Sequence, residues 1–93
     1  MTPSSVYRHC GDVRYRVIDS EAVVIRQDAG EVLGLNDIGA RVLELVDGKA
    51  SVEVLLEKMA GEFEIERARL ERDVFEFLQE LTEAGVIERI EAT

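Results

Sequence analysis

Val32-Leu33-Gly34-Leu35 reads as a β-strand, and at Asn36 it passes straight into a helix with no linker between them. The strand has Glu31 at its start and no lysine, arginine or proline within it, so nothing along its edge discourages a further strand from pairing. Such an edge is either covered by the rest of the fold or open to another chain. What the remaining segments can form decides between the two.

Upstream, Val13, Tyr15 and Val17 alternate with Arg14 and Arg16, the period-two pattern of a strand with one apolar face. Asp19-Ser20-Glu21 reads as a turn, Ala22-Val23-Val24-Ile25-Arg26 as a β-branched strand, and Asp28-Ala29-Gly30 as a second turn. With residues 31–35 these make a three-stranded antiparallel meander. Its first edge carries Arg14 and Arg16, which resist strand addition. Its third strand carries Gly34, where another backbone could come close.

The apolar spacing then becomes helical. Asn36 is a good N-cap and Asp37 suits a helix N-terminus. Ile38, Val42, Leu45 and Val46 share a face, with Leu43 beside it, until Asp47-Gly48 ends the first helix. Ser51 caps a second helix with Val52, Leu55, Leu56 and Met59 as its apolar positions. The third and longest helix spans residues 66–84, with Leu70, Val74, Phe77, Leu78 and Leu81 as its stripe. It lacks a good N-cap, and Gly85 ends it. Residues 86–90 read as a short extended piece against the helices. Residues 1–12 have no periodicity and are expected to be a flexible lead-in to a domain spanning residues 13–90. The expected fold is α+β and winged-helix-turn-helix-like, a three-stranded antiparallel sheet followed by three helices.

Charge and composition exclude several classes of partner. The formal net charge is -9. Residues 1–49 carry 6 basic and 8 acidic side chains, and residues 50–93 carry 5 and 12, so the excess lies in the helical half. Nucleic acids and anionic membrane surfaces favour basic faces instead. No apolar run approaches the roughly 20 residues of a membrane span, and the N-terminal stretch lacks the apolar centre of a secretory signal. Cys10 is the only cysteine, which rules out an internal disulfide and fits the cytoplasm.

Catalytic chemistry is equally thin. His9 and Cys10 are adjacent in the chain, which makes neither a zinc site nor a nucleophile–base pair with an orienting third group, and they read as incidental surface residues. The glycines form no dinucleotide or phosphate-binding loop. The carboxylates of the second and third helices lie mostly off the apolar stripes, as on a solvated face. No catalytic residue, metal site or cofactor is expected.

Attention therefore returns to the third strand. An extended peptide could pair with residues 31–35 and place alternate side chains in a neighbouring apolar groove. Equally, residues 86–90 or a second copy of the chain could cover the same edge. On the third helix, Phe75 falls about 100° from the centre of the stripe. It is either a margin-of-core residue or the wall of a groove. If that helix lies beside the third strand, Glu71, Phe75, Arg67 and Arg72 stand near the rim.

Leu35-Asn36-Asp37-Ile38-Gly39-Ala40 with Leu45-Val46-Asp47-Gly48 resembles a signature of the PqqD family. Asp73-Val74-Phe75-Glu76-Phe77-Leu78-Gln79-Glu80-Leu81 resembles that family's last helix, and Gly85-Val86-Ile87 its ending. The likeness runs over residues 13–87. It implies a free-standing, non-catalytic recognition element that binds the leader of a ribosomally made precursor peptide as an added strand and delivers it to a modifying enzyme. Val32, Leu33, Gly34 and Leu35 then become the pairing strand. Leu70, Asp73, Val74 and Phe77 become candidates for the floor or wall of the groove, with Glu71 and Phe75 at its rim. The implied partners are a precursor peptide and an enzyme of the same pathway, with a monomer expected.

Two other classes compete. A winged-helix DNA-binding regulator would use the third helix for recognition. There Arg67, Arg69 and Arg72 face Glu66, Glu71, Asp73, Glu76, Glu80 and Glu83, a balance that repels phosphate. A small homodimerising scaffold would use the third strand for self-pairing.

Overall fold

The computed structural model describes residues 4–11, 13–26 and 30–90. Eight elements follow in order: β1 (Val6–His9), β2 (Val13–Ile18), β3 (Glu21–Arg26), β4 (Glu31–Leu35), α1 (Asp37–Leu45), α2 (Val52–Ala60), α3 (Arg67–Glu83) and β5 (Ile87–Ile90). Strands β2, β3 and β4 form an antiparallel sheet in that order, and β1 pairs with β5 in a second, two-stranded one. The meander and the three helices stand where the spacing predicts them. Asp28 and Ala29 of the expected second turn lie outside the described residues.

Local chemistry accounts for most boundaries. Between β2 and β3, Asp19 and Ser20 have φ of 50° and 69°. Two successive positive φ values match the tight hairpin turn whose twist suits the flanking strands. The Asn36 side chain accepts the Gly39 N–H at 3.0 Å, and Ser51 Oγ accepts that of Val54 at 3.4 Å, capping α1 and α2. Asp47 closes the turn between those helices by accepting the N–H groups of Lys49 and Ala50 at 2.9 and 2.8 Å. Those two bonds hold its carboxyl below the usual carboxylate range. Glu62 is lowered likewise by Arg41, whose guanidinium grips both its oxygens at 2.8 and 2.7 Å. No side chain caps α3 at Glu66.

The N-terminal stretch corrects the sequence reading. Within what looked like a flexible lead-in, Val6–His9 form β1. Its register on β5 sets Val6 opposite Ile90, Tyr7 opposite Arg89, and Arg8 opposite Glu88, with Arg8 Nε 2.6 Å from Glu88 Oε1. Backbone hydrogen bonds from Gly48 to Tyr7, Val52 to Ser5 and Cys10 to Val86 tie this strand to the α1–α2 turn and to the end of α3. Tyr7 is only 5% exposed, and burial raises its phenol pKa. Periodicity missed β1 because four residues with one fully buried side chain make no repeat, and their partner lies at the other end of the chain.

The core lies between the helices and the inner face of the sheet. Ala22, Val24 and Leu35 contribute from the strands, and Val42, Leu43, Leu55, Met59, Leu70, Val74, Leu78 and Leu81 from the helices. The outer face exposes Ile18, Val23, Ile25 and Val32 beside Arg14 and Arg16. Among the described residues no helix is long and apolar enough to cross a membrane.

Two measurements test this account. Tyr7→Ala should lower unfolding free energy by about 3 kcal/mol in urea titration, the range for deleting a buried aromatic ring; a change near zero would detach β1 from the folded unit. The depressed carboxyls of Asp47 and Glu62 stabilise the fold above their unfolded values near about pH 4, and that contribution is lost as pH falls through the lower folded values. Asp47→Asn keeps an acceptor oxygen for both N–H groups but does not titrate. Its melting temperature should therefore fall less than the parent's between about pH 5 and about pH 3.

Candidate functional site

Strand β4 has one neighbour, β3, with Ala22 opposite Leu35, Val24 opposite Leu33 and Ile25 opposite Val32. The C-terminal segment that could have covered its other edge is paired with β1 instead. Among the described residues no strand lies against that edge. Along it, Leu35 is anchored at 8% exposure, Leu33 is half-buried on the inner face, and Val32 is 66% exposed. A side chain added at Gly34 would meet nothing within 4 Å, so the outer face of the sheet is open at this point.

Helix α3 is fixed relative to the meander at two points. Near the strand's end, the ring of Phe77 lies on Gly39 of α1, so close that a Cβ there would stand 2.7 Å from its Cε1. Near the strand's start, Arg26, which pairs across the sheet with Glu31, donates from Nη1 to the Ala84 carbonyl at 2.6 Å. Phe77 and Ala84 are about 10 Å apart along the helix, and the four steps of β4 span roughly 14 Å. Asp73, Phe77, Glu80 and Ala84 are spaced at i, i+4, i+7 and i+11, which makes one continuous stripe on that flank.

The candidate residues therefore divide. Leu70 and Val74 have no exposed surface and belong to the core beneath the groove. Asp73 and Phe77, both half-buried, lie on the flank whose ring meets Gly39 of α1. Glu71 and Phe75, also half-buried, stand on the opposite flank, Phe75 about 160° around the helix axis from Phe77. Val32 points to the outer face of the sheet, whereas Leu33 and Leu35 point inward. Gly39, Glu80, Arg26 and Ala84 escaped the sequence reading. The spacing of Glu80 from Asp73 and Phe77 was a usable signal; the Gly39–Phe77 contact had none.

Charge on α3 is arranged within the helix. Arg67 lies 3.4 Å from Glu71 and Arg69 lies 3.8 Å from Asp73, exposed arginines against half-buried carboxylates. These arginines face carboxylates one turn on, which blunts any attraction for phosphate. No group of three or more metal-ligating side chains occurs among the described residues. His9 is half-buried rather than a surface residue. Its Nε2 donates to the Leu43 carbonyl at 2.7 Å and its ring meets Tyr15 edge-on at 5.3 Å, so it joins β1 to α1.

A three-stranded antiparallel sheet backed by three helices is a winged-helix-like α+β domain. This chain belongs to the PqqD family: residues 21–87 match the family described as Coenzyme PQQ synthesis protein D (PqqD). A "PqqA binding protein" of Rhodopseudomonas palustris (strain BisB5) is 34% identical over 56 residues, which is 60% of this chain and 55% of the relative. The chain thus spans about half the length of the curated relatives it matches. Among solved structures, TbiB1 in complex with the TbiA(beta) leader peptide aligns with a TM-score of 0.78 at 25% identity, covering 91% of this chain and 99% of that one. The PqqD truncation of Methylobacterium extorquens PqqCD, described as a functional and stand-alone recognition element, aligns with a TM-score of 0.76 at 27% identity, covering 95% and 94%.

The Gly39–Phe77 contact can be checked by its sign. Gly39→Ala should destabilise the protein by about 1–3 kcal/mol, because the methyl displaces the ring. In a Phe77→Ala background the same change should stabilise by up to about 1 kcal/mol, the ordinary helix preference for alanine over glycine. Thermal melts of the four proteins in that cycle would show no reversal if the ring did not lie on Gly39.

Proposed function

We propose that this protein is a non-catalytic recognition element of the cytoplasm that takes up the leader of a ribosomally made precursor peptide as a fourth strand on β4 and presents it to a modifying enzyme. The observation that carries this reading is the edge of β4, which no strand covers among the described residues. Main-chain pairing would supply binding that tolerates many sequences, and side chains entering the groove beside α3 would supply selection. Support comes from the family itself, from relatives named for binding PqqA, and from the likeness to a protein solved with its leader peptide. Leu33, Gly34 and Leu35 form the pairing strand, with Asp73 and Phe77 on the facing wall. Val32 contributes backbone, and its side chain lies on the other face of the sheet.

Hydrogen exchange tests the edge directly. With a leader peptide bound to saturation, as followed by fluorescence anisotropy, the amides of residues 31–35 should exchange more slowly. Unchanged exchange there at full occupancy would falsify strand addition. Mass spectrometry tests the non-catalytic part. Incubation with precursor alone should leave its mass unchanged, and any covalent change in the absence of a partner enzyme overturns that assignment.

A further inference from the structure

The wall that α3 turns toward β4 has a charge pattern that specifies what kind of peptide fits it. One helical turn to either side of Phe77 stand the carboxylates of Asp73 and Glu80, with Glu76 exposed just beyond them. Glu31, at the start of β4, adds a fourth acid across the groove. The cations nearby are already engaged. Arg26 is held by the Ala84 carbonyl at 2.6 Å at the C-terminal end, and Arg69 lies 3.8 Å from Asp73 at the other. The centre of the wall is thus one aromatic ring between Asp73, already paired with Arg69, and the exposed carboxylate of Glu80.

We propose that the groove selects a basic-apolar segment: one apolar side chain seated on Phe77, with lysine or arginine two residues before and after it, directed at Asp73 and Glu80. This inference rests on residues 31–35 being the pairing strand of the bound peptide. An added strand sends every second side chain toward α3, at intervals of roughly 7 Å. The stripe on α3 places its acids about 6 Å and about 4.5 Å along the axis from Phe77. Lysine and arginine have long, flexible stems that cover the difference and lie against the apolar seat while their charged ends reach the carboxylates. A peptide with acidic residues at those positions meets like charge in a partly desolvated groove, so the same wall that favours one class rejects the other.

The test uses the whole protein and a phage-displayed library of random peptides about fourteen residues long, enough to span β4 with flanks on either side. Enriched peptides should carry lysine or arginine two residues either side of an apolar residue, and should slow exchange at residues 31–35. Against such a peptide, Glu80→Lys should weaken binding by about three- to tenfold. It should also gain affinity for the matching peptide with glutamates in place of the basic residues. Glu80 is exposed, so melting of this variant should stay near the parent's. Peptides that protect β4 but have neutral or acidic flanks, or whose affinity ignores Glu80→Lys, overturn the charge rule and leave strand pairing standing. Enriched peptides that never protect β4 overturn both.

Discussion

The pairing of β1 with β5 is the arrangement on which the functional surface depends. The C-terminal segment leaves α3 with Val86 and Ile87 buried, and a short extended segment of this kind needs a hydrogen-bonding neighbour. The chain provides two, β1 and β4. By taking β1, the segment satisfies its backbone outside the three-stranded sheet, and among the described residues no strand covers the edge of β4. The hydrogen bonds from Gly48 and Val52 to residues 5–7 then lock β1 to the α1–α2 turn, so the pairing is part of the same cooperative unit as the helical core.

A free edge alone would be a liability, since unpaired N–H and C=O groups invite association with any extended chain. What makes this one selective in shape is the second wall. Helix α3 is pinned at its middle by Phe77 on Gly39 and at its end by Arg26 on the Ala84 carbonyl. The second contact places a cation at a helix C-terminus, where the helix dipole favours it. The helix so pinned leaves Phe77 and Asp73 half-exposed.

The excess negative charge of the helical half takes on meaning in this setting. Most of those carboxylates are solvated, as their positions off the apolar stripes suggested. Glu80 is among the exposed ones and Asp73 is half-buried, and both lie one helical turn from the Phe77 ring. The same net charge that argues against a nucleic-acid surface thus becomes a local preference about peptides.

Short-range signals in the sequence determined the elements themselves. Alternation in residues 13–17, the Asn36 and Ser51 caps and the stripe from Leu70 to Leu81 act within a few residues, so each strand and helix of the main unit could be read without knowing its neighbours. The bare composition of the third strand was legible for the same reason, and so was its likeness to a family with an exposed strand. Tertiary structure alone decided what stands beside what. Tyr7 lies opposite Arg89 across nearly the whole chain, and nothing in four residues announces so distant a partner. Likewise Phe75 and Phe77 are both half-buried on one helix. The position of Gly39, a residue with no side chain and hence no apolar signal, gives the Phe77 ring its seat on α1.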